Sequence, residues 1–157
     1  MKAEIIKQYE HTWKVFEGIV QDFEKDAWLH TGCGPNTPAG TAFHILKGVK
    51  YYIEDSSAMF FPSGKSLESN PATMKKEELP SQSDIVACMG ELKAKTEKWV
   101  SEIDLNAENK AFEWAGATRL GVVLFLLRHN LYHIGELSSL LNESKNGVAE
   151  DNWVKTL

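Results

Sequence analysis

The sequence has few of the devices that hold small proteins together from outside their core. It carries only two cysteines, Cys33 and Cys88. They make no disulfide framework, so stability must come from packing. The longest uninterrupted apolar run, Leu120 to Leu127, is eight residues, far short of the ~20 that a membrane-spanning helix needs. Positive charge is not in excess. Seventeen Lys and Arg against 22 Asp and Glu leave a net charge of −5, a poor footprint for nucleic-acid phosphates. The stretch MKAEIIKQYEHTW has no basic segment followed by an apolar one, so no secretory signal is expected. No repeat or low-complexity tract stands out. These absences point to a cytoplasmic protein without nucleic-acid or membrane partners.

What is present suits a packed core. The length, 157 residues, is that of one domain, here 1–157. Area scaling gives roughly 8,000 Å² of folded surface against roughly 25,000 Å² unfolded. Hydrophobic residues make up 43% and charged residues 25%, which excludes wholesale disorder.

The periodicity is helical almost throughout. Ile6, Tyr9, Trp13, Phe16, Val20 and Phe23 alternate spacings of three and four and fall on one stripe of a first helix. The stretch HTGCGPNTP at 30–38 breaks it, with two Gly and two Pro. Thr37 as N-cap and Pro38 in the first turn then start a second helix, expected to run to about Phe61 and stop at Pro62-Ser63-Gly64. Residues 62–80 read as a long connection with a helical turn. A third helix begins near Ser81 or Ser83, with Ile85, Met89, Leu92, Thr96, Trp99 and Ile103 on its stripe. Residues 104–117 read as a loop anchored by Phe112 and Trp114. A fourth helix runs from about Thr118 to Asn142. Its first half is apolar nearly all round, which places it at the centre of the fold. No segment shows strand alternation. Four long helices of this kind predict an all-α antiparallel four-helix bundle, with Trp153 holding a short C-terminal helix.

The chemistry is carried by histidine. His129 and His133 lie four apart, so both project from one face of the fourth helix. Two imidazoles so placed can share one metal ion. Buried, they need partners: either a metal satisfies both, or each donates to a carbonyl or a carboxylate. A reactive metal usually takes three protein ligands, and His44, between Phe43 and Ile45, is the best third. His11 reads as a surface residue; His30, in the Gly/Pro loop, can approach the site from above or, as loop placement favours, face solvent. Glu136, seven after His129, is a candidate fourth ligand, an acceptor for an imidazole N–H, or a catalytic base. It can also be a rim carboxylate paired with a Lys. Tyr51 either lines the same cavity or packs its ring in the bundle. His30-x-x-Cys33 is a two-residue metal alternative, and Cys88 a small buried hydrophobe.

Trp28, the loop HTGCGPNTP, AGTAFHILKGVKYY with His44, and FEWAGATRLGVVLFLLRHNLYHIGEL with His129, Tyr132, His133, Gly135 and Glu136 together resemble the DinB-like (DinB/YfiT-like) superfamily. The resemblance spans roughly residues 5–141. It implies an up-down-down-up bundle, a divalent metal held by His44, His129 and His133 with water completing the shell, and a homodimer. It implies small-molecule chemistry as well, since characterised relatives include thiol-dependent S-transferases and a mycothiol-dependent isomerase. Glu136 stands where the family often has Gln, which adds negative charge near the metal.

The functional expectation is therefore a metal-dependent enzyme using a low-molecular-weight thiol, with Glu136 as candidate catalytic residue. Zinc or nickel suits the ligand set best, and iron, manganese or copper is compatible. The rival is a non-catalytic ligand-binding or stress-related bundle whose metal is structural. Imidazoles bind metal only when deprotonated, so affinity should fall as pH drops through about 6.5.

Overall fold

The computed structural model describes residues 1–33, 36–55, 58–61, 63–64, 66–67 and 73–156. The chain is mostly helical. Its α-helices are α1 (Lys2–Asp22), α2 (Ala27–His30), α3 (Pro38–Glu54), α4 (Gln82–Glu102), α5 (Arg119–Ser144) and α6 (Asn152–Lys155). Two short strands, β1 (Met59–Phe60) and β2 (Ser66–Leu67), pair antiparallel, although no strand was expected. The accessible surface, 8398 Å², is close to the scaling expectation. Among the described residues, no helix is long and apolar enough to cross a membrane.

The stripe on α1 is buried at Tyr9, Trp13, Phe16, Val20 and Phe23, with Ile6 half-buried. A second row, Ile5, Thr12, Val15 and Ile19, is buried beside it. The buried face is broad because α1 packs on both α4 and α5. Helix α3 likewise packs on both α4 and α5. The α4 stripe holds at Ile85, Met89, Leu92 and Thr96, while Trp99 and Ile103 are half-buried. Polar bonds pin these elements together. The Tyr9 hydroxyl donates to Val123 O at 2.7 Å, and buried Trp28 donates its indole N–H to Pro80 O at 2.9 Å.

Helix starts follow the expected chemistry. Thr37 Oγ1 accepts from Gly40 N at 3.2 Å and Pro38 opens α3. Ser81 and Asp84 form a capping box on α4. Asp84 also accepts from Ser63 N. Burial pushes its carboxyl up, but the bonds from Ser81 and Ser63 outweigh this and hold it below the usual value.

Other expectations need correction. Helix α3 ends at Glu54, seven residues before Phe61, because Asp55 takes a left-handed conformation (φ 51°) and the chain turns into β1. The expected stop at Pro62 lies outside the described residues, as do residues 65 and 68–72 of the long connection; Lys76–Glu78 within it form a 3-10 turn. The first half of α5 is not central all round. Val122, Val123 and Leu126 face the core, whereas Leu124 is 47% exposed. Trp114 is no core anchor: it is 62% exposed and donates its N–H to the Tyr52 hydroxyl. Phe112 is half-buried against Tyr51 and Tyr52.

The tail forms α6, and Trp153 packs edge-on against His11, ring centroids 5.3 Å apart. His11 is thus half-buried beneath the tail rather than free on the surface, with Thr156 Oγ1 3.3 Å from its Nε2.

Candidate metal centre

The site forms where α3 meets α5. The Thr37 cap sets the rotation of α3, and His44 stands in its second turn between the buried Phe43 and Ile45. From α5, His129 and His133 project on the facing side. Gly48, one turn after His44, lets the helices approach. A Cβ at that position would lie 2.9 Å from His129 Cε1.

The three rings converge. His44 and His133 have centroids 4.5 Å apart, His129 and His133 4.6 Å, and His44 and His129 5.2 Å. One ring nitrogen from each lies within 4.8 Å of the others, so the three can hold a metal ion. The Nε2 atoms of His44 and His129 are 3.2 Å apart. Two nitrogens each ~2.0–2.1 Å from one tetrahedral ion stand ~3.3–3.4 Å apart, which matches this spacing.

Internal hydrogen bonding does not satisfy the cluster. A bond between His44 and His129 occupies one nitrogen on each ring. It leaves His129 Nδ1 buried without a hydrogen bond, a state that a metal on Nε2 would leave unchanged, and it gives the third ring, His133, no share in the bond. Three imidazoles suit a divalent transition metal, so the residues present fit the group that the sequence led us to expect.

The surroundings keep the nitrogens available. Burial pushes His44 down from 6.5 to about 4, with the neighbouring His133 and His129 adding to it. Burial, with help from His133, also lowers His129. Neutral imidazole is the form that binds metal. On the outer side, His133 Nδ1–H donates to Glu136 Oε2 at 2.7 Å. That bond puts the proton on Nδ1 and turns the Nε2 lone pair to the cluster. Glu136 also hydrogen-bonds Tyr132 and raises its hydroxyl pKa. Of the roles open to Glu136, acceptor for an imidazole is the one its geometry displays, rather than pairing with a Lys.

Other candidates lie apart. His30 ends α2, its side chain 57% exposed and its Nδ1 3.0 Å from Asp26 O. Cys33 is exposed, and neither residue joins the metal-competent group. Tyr51 packs on Tyr52 and Phe112. Cys88 is buried, its Sγ 3.6 Å from Phe60 O.

Two participants were missed in the sequence. Phe125 lies nearly parallel to His129, 21° between planes and 6.3 Å between centroids; its spacing of four before His129 was a usable signal. Gly48, four after His44, was the other. Nothing in the fold requires glycine at 135, where an added Cβ meets open space. No family model, curated protein or solved structure matches the chain. The reading of the site therefore rests on its own residues.

Proposed function

We propose that this protein is a divalent-metal-dependent enzyme of the DinB-like type, joining a low-molecular-weight thiol to a small electrophile. The observation that carries the reading is the convergence of His44, His129 and His133 from two helices, with ligand nitrogens within 4.8 Å of one another. Zinc or nickel is the metal favoured by this donor set.

The proposed architecture is a four-helix bundle running up-down-down-up. Its support is pairwise. Lys2 at the start of α1 bonds Ser101 at the end of α4, so these helices oppose. Tyr9, early in α1, bonds Val123, early in α5, so these two agree. His44 sits against His133 while Tyr52, further along α3, meets Phe125, earlier in α5, so α3 and α5 oppose.

When bound, the metal favours the deprotonated form of a thiol or water. All three histidines serve as ligands, so none is free as a base. Glu136 orients His133 and, with 43% of its side chain exposed, is placed at the rim to take the thiol proton and pass it to solvent. Sulfur then forms a bond to the electrophilic carbon, and the leaving group departs with the electron pair of the bond that breaks. Partial exposure of the centre supports an exchangeable site over a closed structural one.

The test is multiple turnover by metal-loaded, untagged protein given glutathione and an activated aryl halide. Halide release well beyond one equivalent, lost in His129→Ala, is expected. Stoichiometric metal with no turnover for any thiol–electrophile pair would favour the binding or structural role instead.

A further inference from the structure

The loop between α4 and α5 is built more firmly than a connection requires. The Asn109 amide donates to Phe112 O at 2.6 Å and Gly116 O at 2.7 Å, and its Oδ1 accepts from Phe112 N at 3.1 Å. The loop is also tied to its neighbours in the chain: Asn109 N donates to Ala117 O, Arg119 N to Ala107 O and Leu120 N to Leu105 O, at 2.9–3.0 Å. A segment fixed this way presents a wall that need not be ordered when something binds.

Beside that wall is a cleft of about 750 Å³, open to solvent, and none of the three histidines lines it. Tyr52, Trp99, Ile103, Phe112 and Val122 supply aromatic and aliphatic surface, and Arg119 stands among them. The volume falls within the ~300–1,000 Å³ of small-molecule sites. The other charges on the lining have partners. Glu108 faces Lys110 at 3.2 Å, and Glu102 faces Lys98 at 3.9 Å. Arg119, in contrast, has no side-chain hydrogen bond or ion pair among the described residues. The cleft thus offers π-faces and one uncompensated guanidinium.

We propose that this cleft is a second ligand site, separate from the histidine centre, for a small planar aromatic molecule bearing a carboxylate. The ring packs against Tyr52, Trp99 and Phe112, and the carboxylate meets the Arg119 fork, whose planar donors match its two oxygens. The sites share a partition: Tyr52 lines the cleft and packs 5.5 Å from Phe125, which lies against His129.

The test is calorimetric titration of the full chain, kept metal-free with EDTA, with naphthoate and with its uncharged counterpart naphthylmethanol. Saturable one-site binding of naphthoate is expected, weakened about five- to tenfold in Arg119→Gln, with the alcohol indifferent to that change. Phe112→Ala should weaken both. Binding in His133→Ala should equal that of the parent, so failure of the metal reading leaves this result intact. No saturable binding up to millimolar naphthoate, equal binding by Arg119→Gln, or loss of binding in His133→Ala would each overturn the assignment.

Discussion

His44 on α3 and His129 on α5 face each other with their Nε2 atoms 3.2 Å apart. These residues are 85 positions apart in the chain, and only the α3–α5 contact brings them together. The spacing suits two ligands of one ion as well as a neutral imidazole–imidazole hydrogen bond. The third ring, His133, converging on the same two imidazoles, favours the ion.

Gly48 should be a positioning residue for that pair. Gly48→Ala places a methyl group 2.9 Å from His129 Cε1 and should turn the ring away from His44. Metal affinity is expected to fall at least ~tenfold. The fold should survive, because the alanine also raises helix propensity by ~1 kcal/mol. Gly90→Ala on α4 is the control. Nothing lies within 4 Å of its added Cβ, so it should gain ~0.5–1 kcal/mol with metal binding unchanged. Metal titrations and thermal melts on the two variants check both expectations. Parental affinity in Gly48→Ala would remove the positioning role.

Glu136 should act through His133. Its carboxylate accepts the Nδ1–H at 2.7 Å. Glu136→Ala leaves that proton without an acceptor and is expected to weaken metal binding ~10–100-fold. Glu136→Gln keeps an acceptor oxygen and should recover most of the affinity while losing proton transfer. A pH–rate profile that loses its acidic limb in the Gln variant, which keeps its metal, separates base catalysis from orientation. Full affinity in Glu136→Ala would show that the contact is incidental.

The depressed His44 predicts a pH dependence of the metal-free protein. Between 6.5 and about 4 the unfolded chain binds this proton and the folded chain does not. Stability is therefore fully present above 6.5 and is lost as pH falls toward 4, levelling off below. One such group gives a slope of at most ~1.4 kcal/mol per pH unit. His44→Gln should flatten this part of the melting profile. Proton competition for His44 itself moves down with its pKa, so its share of the loss of metal affinity sets in lower than the 6.5 of a free imidazole. Urea melts across the range, with and without His44, measure the difference.

The helical stripes and the His129–His133 pair were legible because both depend on local spacing. A period of 3.6 puts Tyr9, Trp13, Phe16 and Val20 on one side whatever they pack against, and it puts His129 and His133 together likewise. Thr37 and Trp153 were legible for similarly local reasons, a cap before Pro38 and an aromatic residue in a polar tail. Features set by the partner helix were not. Gly48 matters only because the His129 ring arrives from α5. Leu124 resembles its buried neighbours in the run Leu120 to Leu127, and only the placement of α5 exposes it. Helix α3 was read too long because Met59, Phe60 and Phe61 prolong its apolar character. Asp55, which ends it by turning left-handed, carries no glycine or proline signal.

Elemental analysis of the protein, purified without a polyhistidine tag beside His44→Ala, His129→Ala and His133→Ala, tests the centre most directly. A three-histidine site predicts about one equivalent of a transition metal in the parent and its loss from each variant, with helical content retained. No metal in the parent and no uptake of zinc or nickel on titration, or stoichiometric metal persisting in the variants, would contradict it.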